Sequence, residues 1–137
     1  MTVQASQVGL SYPRPRTLTT RVIRIARTDS STAKCTIPRD AVIVGVHCYQ
    51  DTAASTAAAT WTVGWSGATT ALLNAFSAGT STVGLTNPGA AVGAGVFTKL
   101  DSDKQIIATF GGTSTAGGTG YVTIDYFVAS AGEAVDD

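Results

Sequence analysis

Apolar residues recur at every second position through most of this chain. Val122, Ile124, Tyr126 and Val128 alternate with Tyr121, Thr123, Asp125 and Phe127. A period of two belongs to extended strands, whose successive side chains point to opposite faces. The same period runs through Ala41–Tyr49, where Val42, Val44, Val46 and Cys48 share one face and Ile43, Gly45 and His47 the other. Ala59, Trp61, Val63 and Trp65 make a third stripe against Thr60, Thr62, Gly64 and Ser66. Ala33, Cys35 and Ile37 alternate with Thr32, Lys34 and Thr36, and Arg21–Arg27 carries the β-branched Val22, Ile23 and Ile25. Pro38 in "IPRDA" predicts a turn. Val96–Leu100 and Gln105–Phe110 predict strands flanking the acidic turn "DSDK". Leu72, Leu73 and Phe76 break the alternation and predict a single helical turn or an irregular crossing. "GLTNPGAAVGAG" predicts a loop turning at Asn87-Pro88-Gly89. About seven short strands at close spacing, with no long helix, make the chain all-β: an antiparallel sandwich or barrel.

Residues 1–20 read differently. "YPRPRTLTT" holds Pro13 and Pro15, which favour extended backbone and end any helix before them. This predicts an extended N-terminal arm over 1–20, a β domain over 21–130 and an acidic C-terminal tail over 131–137. Leu10 and Tyr12 can anchor the arm to a neighbour, and Arg14, Arg16 and Arg21 give it charge.

The stretch "GGTSTAGGTG" precedes the last strand. A phosphate-binding loop needs a lysine opening a helix after its glycines, and none follows Gly117, Gly118 or Gly120. A dinucleotide fingerprint fails because Thr123 stands where the third glycine belongs. A strand follows, so no helix N-terminus is offered to an anion. The stretch therefore predicts a soft surface loop joining Gln105–Phe110 to Tyr121–Val128 as an antiparallel pair.

Alanine, threonine and glycine number 21, 22 and 15 of 137 residues, and charged residues are 13%. Small residues with so little charge suit flat, closely apposed surfaces more than a free-floating domain. Net charge is zero but unevenly spread: residues 1–40 carry seven cations against two acids, and residues 41–137 carry two against seven. Copies can attract one another head to tail. A sequence pI near 6.5 argues against nucleic acid as a partner. No run approaches the ~18 apolar residues of a membrane helix. The start, MTVQASQVGL, lacks the basic and apolar regions of a signal peptide, so use without export is expected.

Candidate chemistry is sparse. His47, the one histidine, has no partner visible in the sequence. "GWSGA" departs from a nucleophile elbow at Ala68. Cys35 and Cys48 cannot build a structural zinc site without other ligands. A tight hairpin at "IPRDA" would set Cys35 opposite about Ile43 and leave Cys48 too far for a disulfide, so reduced, buried thiols are expected. Asp101 and Asp103 share a turn without an EF-hand pattern. No enzyme activity, cofactor or metal is expected.

Three segments, "IPRDAVIVGVHCYQDTAAST", "ATWTVGWSGATTALLNA" and "IIATFGGTSTAGGTGYVTIDYFV", resemble those of small structural proteins of tailed bacteriophages, the capsid decoration (cement) proteins and related head or tail accessory proteins. The resemblance spans roughly residues 35–128 and consists of strand and glycine-loop patterns rather than reactive residues. It implies a β-sandwich or jelly-roll module on the exterior of an icosahedral virion, assembled in the host cytoplasm. It further implies a homotrimer, with the major capsid protein as partner and neither nucleic acid nor membrane engaged. The alternative is a head-fibre or tail module binding a receptor or glycan through outward-facing Trp61, Trp65, Tyr121 or Tyr126.

Overall fold

The computed structural model of the chain describes residues 18–56, 58–79, 83–86 and 88–129. Among them lie eight strands: β1 (Thr19–Ile25), β2 (Thr32–Ile37), β3 (Ala41–Gln50), β4 (Thr60–Trp65), β5 (Ala68–Ser77), β6 (Gly84–Thr86), β7 (Lys104–Gly111) and β8 (Gly120–Val128). One antiparallel sheet has the order β1-β8-β3-β6 and the other β2-β7-β4-β5. This is the jelly-roll arrangement, in which consecutive strands mostly cross between facing sheets. The arm was expected over residues 1–20 and the first strand from Arg21; the structure starts β1 at Thr19, so Thr19 and Thr20 belong to the first strand. Residues 1–17 of the arm, and the tail 131–137, lie outside the described residues.

The core is what the alternation dictates. Ile23 and Ile25 of β1, Val122, Ile124 and Tyr126 of β8, and Val46 and Cys48 of β3 face Trp61, Val63, Leu72, Leu73, Ile106 and Ala108 across the sandwich. Trp61 is fully buried; its ring lies 5.4 Å from that of Phe76, and its Nε1–H donates to the Gly118 carbonyl at 2.8 Å. At the corner between β1 and β2, the buried Asp29 accepts from the Ala26 N–H and pairs with Lys34, both at 2.8 Å. The two partners satisfy a carboxylate that burial would otherwise penalise.

Several expectations are corrected. The alternation of β3 is interrupted by a bulge between Ile43 and Gly45. Ala41 and Ile43 point inward before it, and Val46, Cys48 and Gln50 after it, so Val42 and Val44 do not share the core face with Val46. An extra residue shifts the phase of a period-two pattern. The segment with Leu72, Leu73 and Phe76 is strand, not a helical turn: β5 pairs with β4 through two register shifts, and Ala75 takes a φ of 54°. Those bulges space its inward residues like one face of a helix. Gly84–Thr86 forms a short strand on β3, and the loop after it holds a 3-10 turn, Gly89–Ala91. Val96–Leu100 is no strand but a turn touching β3 by the Val42–Lys99 bridge.

Two predicted hairpins are crossovers. β7 and β8 lie in different sheets, and so do β2 and β3. Cys35 therefore stands opposite Ile106 and Cys48 opposite Val122, and the hairpin geometry used to separate them does not exist. Both thiols are free all the same.

The glycine-rich stretch is not a soft tip. It is zipped to residues 51–56: Asp51 N–H to the Thr119 carbonyl at 3.0 Å, Gly118 N–H to Thr52 at 2.9 Å, Ser55 N–H to Ala116 at 2.9 Å. Ser114, Thr115 and Thr119 hydroxyls interlock with Ser55 and Thr52. Gly117 has a φ of 64°, and a Cβ there would collide with the Ala53 carbonyl. The glycines serve a left-handed backbone and close chain approach, which no larger residue permits.

Candidate association surface

The two outer faces of the sandwich differ. On the sheet β2-β7-β4-β5, β4 and β7 bring Thr62 opposite Thr109, Thr60 opposite Gly111 and Gly64 opposite Ile107, so that small side chains surround a single isoleucine in these three pairs. On the sheet β1-β8-β3-β6 the outward positions carry larger groups. The register sets Arg24, Tyr121, Tyr49 and Leu85 in one row across four strands. Val22, Thr123 and His47 form the next row, and Thr20, Asp125 and Gly45 the one after.

This first row is a continuous ridge. The Arg24 guanidinium stands 5.3 Å from the Tyr121 ring centre, and the Tyr121 and Tyr49 rings are 6.5 Å apart. Leu85 is 74% exposed at the sheet edge and Val22 59% beside the row. Exposed tyrosine and arginine next to aliphatic side chains is the composition enriched at protein interfaces. Arg24 also pairs with Asp51 at 3.2 Å, whose other oxygen accepts from the Thr119 hydroxyl at 2.9 Å. Hydrogen bonding to Asp51 and Tyr121 raises the Arg24 pKa. Burial pushes the Asp51 carboxyl up, but the Thr119 hydroxyl, Arg24 and Thr52 outweigh it and hold it below its usual value. The ridge is thus pre-positioned through the zipped loops.

Two grooves flank the sandwich. One, of about 260 Å³, is lined by Trp65, Thr98, Lys99, Leu100, Asp101 and Lys104. Its lysines are already matched: Lys104 pairs with Asp101 at 3.2 Å and lies over the Trp65 ring, while Lys99 pairs with Asp40 at 3.5 Å. Lys104 and the Ser102 hydroxyl lower the Asp101 pKa. The other, of about 250 Å³, opens beside the β3 bulge between Val44, Val46, Val92 and Val96, with Phe97 on its wall.

Of the residues the sequence singled out for association, Arg21 lies in β1 on the inward-pointing register, half-buried, and donates to the Thr36 carbonyl of β2 at 3.4 Å. It ties the two sheets at their edge. Leu10, Tyr12, Arg14 and Arg16 lie outside the described residues. His47 is 46% exposed, with Nδ1 3.8 Å from Asp125. "GWSGA" is the β4–β5 hairpin, with Gly67 at a φ of 87°. Burial raises the Cys48 thiol to about 12, and burial, opposed by Arg21, raises that of Cys35. Among the described residues no three His, Cys, Asp or Glu gather as metal ligands. The ridge itself was only half visible beforehand: Tyr121 sits in the outward set of β8, but nothing in the sequence sets Tyr49, Arg24 and Leu85 beside it.

No protein-family model and no curated protein matches the chain. Among solved structures it is similar to a chain of the cyanophage Pam1 capsid asymmetric unit, with a TM-score of 0.65 and 17% identity, over 93% of this chain and 98% of that one. Likeness at that identity speaks to the fold: the two share a β architecture from end to end.

Proposed function

We propose that this protein is a structural protein of a bacteriophage virion, one that decorates the outside of an icosahedral head and stabilises it by bridging major capsid subunits. The observation that carries the reading is the end-to-end fold likeness to a chain of a phage capsid asymmetric unit. The segment resemblance to decoration proteins and the Arg24–Tyr121–Tyr49–Leu85 ridge support it. The mechanism is association alone, without catalysis or cofactor. Three copies joined through their arms engage three capsid sites at once, so modest contacts add up by avidity. Binding only the mature shell stabilises that state by mass action.

The glycan-binding alternative needs outward aromatic residues near a groove. Trp61 and Tyr126 are buried in the core, at 0% and 6% exposure, which leaves Trp65 at one groove and the exposed Tyr121 as the residues that could serve it. The test is heat challenge of phage heads stripped of the protein and then replenished. Replenished heads are expected to retain their DNA to a higher temperature; equal retention sinks the cementing role. Light scattering of the free protein is expected to give the mass of a trimer, and a monomer removes that assembly from the proposal.

A further inference from the structure

We propose that the groove at Trp65 binds a neutral sugar, one pyranose ring of a polysaccharide, at a place remote from the Arg24–Tyr121–Tyr49–Leu85 ridge. This role stands beside cementing rather than in place of it, and its use on a virion rests on that reading.

The groove lies where three segments meet. β4 ends at Trp65, β7 begins at Lys104, and the turn 98–101 lies beside both. That turn is pinned to the start of β3: the Leu100 N–H donates to the Ala41 carbonyl at 2.9 Å, and the Asp40 N–H donates to the Leu100 carbonyl at 3.0 Å. Trp65 is half-buried, and its ring is held by close backbone approach: a Cβ on Gly95 would stand 2.8 Å from its Cη2. Packing therefore sets the orientation of the ring before any ligand arrives. Tyr49 of the ridge lies eight residues along β3 from Ala41, about 25 Å at strand rise. A shell seated on the ridge leaves the groove uncovered.

The groove sets an aromatic ring beside paired charges. The Lys104 ammonium is 5.7 Å from the Trp65 ring centre and 3.2 Å from Oδ1 of Asp101, and the Ser102 hydroxyl donates to the same oxygen at 3.3 Å. A carboxylate can accept about four hydrogen bonds, so Asp101, its side chain 87% exposed, keeps acceptor capacity toward solvent. Lys99 pairs with Asp40 at 3.5 Å, and its ammonium carries three N–H groups. The pairs fix donors and acceptors in place without exhausting them. A pyranose is the complement: a face of C–H groups for the indole, and adjacent hydroxyls that donate to a carboxylate while accepting from an ammonium. An anion is disfavoured, because Asp40 and Asp101 match the two lysines one for one and Asp103 stands in the same turn. A protein partner is disfavoured too, because none of the exposed large apolar side chains lines the groove. Its volume, about 260 Å³, is near the lower end of small-ligand sites and suits a single ring. One such contact is weak, and copies arrayed on a shell hold a repeating polymer by avidity.

The experiment titrates the nitrogen-15-labelled full chain, without any capsid, with the methyl glycosides of glucose, galactose, mannose, rhamnose and N-acetylglucosamine, and with methyl glucuronoside and inorganic phosphate as anionic probes. NMR follows the two indole N–H signals, assigned with the Trp65→Phe variant. At least one neutral glycoside is expected to shift the Trp65 signal and the amides of Lys99 and Asp101, with a Kd on the order of 1 mM, and to leave the Trp61 signal in place. The anions are expected to bind at least about tenfold more weakly. Asp101→Ala should fold as the parent does, since the side chain faces water, and should weaken the glycoside about tenfold, the loss of one charge-assisted hydrogen bond. No shift with any neutral glycoside, tighter binding of an anion, shifts centred on Tyr49 and Tyr121, or an unchanged Kd in Asp101→Ala each overturn the proposal. Because no shell is present, a protein blind to sugars that still cements heads would sink the groove site and leave the function standing; sugar binding by a protein that never occupies heads would do the reverse.

Discussion

Gly117 and Gly67 both take a positive φ, yet they answer to different constraints. Nothing lies within 4 Å of where a Cβ on Gly67 would be, whereas at Gly117 it meets the Ala53 backbone. Gly67→Ala should therefore cost about 1 kcal/mol, the left-handed penalty alone. Gly117→Ala should cost about 3 kcal/mol or more, because the zipped loops must part. Urea denaturation of the two variants measures the difference; equal losses would mean that the loops are not interlocked. The cysteines belong to the same scale. Cys48, fully buried with its thiol raised to about 12, should resist a thiol reagent at pH 8 in the native protein and react on unfolding. Rapid native labelling of Cys48 would contradict its place in the core.

At the level of elements, the strand of two tryptophans is held from both sides. Trp61 packs on Phe76 and donates to Gly118, so β4 reaches through the core to the loop before β8. Trp61→Phe should cost about 2 kcal/mol, since it leaves the buried Gly118 carbonyl without its donor and opens a small void. Thermal unfolding checks it, and a stability equal to the parent's would show that the link contributes nothing. The element also gives a fluorescence test of the burial of Trp61. In a Trp65→Phe variant the remaining emission comes from Trp61 and should be nearly immune to an aqueous quencher.

For the whole molecule, the outer sheet face is the surface that must account for binding. Tyr121→Ala should lower occupancy on phage heads about thirtyfold, the effect of losing one interface hot spot. Its melting temperature should change little, because Tyr121 is 36% exposed and lies on the solvent side. Unchanged occupancy would move the interface to another face. Acid should act on the same ridge. The Asp51 carboxyl is held below its usual value in the fold, so the stabilisation from its pairing with Arg24 is present above about pH 4 and fades as pH falls through the lowered value. The effect is modest because both groups face water. An NMR pH titration of Asp51 that shows an ordinary midpoint would contradict the pairing.

The strands with unbroken alternation, β4 and β8, were legible in the sequence because a period of two maps directly onto a buried and an exposed face. β5 and the first half of β3 were misread, since one extra residue at a bulge reverses the phase and the sequence does not mark where it falls. The arm residues carry their charge and their prolines on the sequence alone, but which surface receives them is a matter of placement. By itself the chain determined its class, all-β, through local periodicity and composition. Only the tertiary structure decided that consecutive strands cross between sheets, that the glycine stretch is a zipper rather than a soft tip, and that Arg24, Tyr121, Tyr49 and Leu85 stand in one row. Those outcomes depend on pairing between residues far apart in the chain, and local preferences carry no information about distant partners.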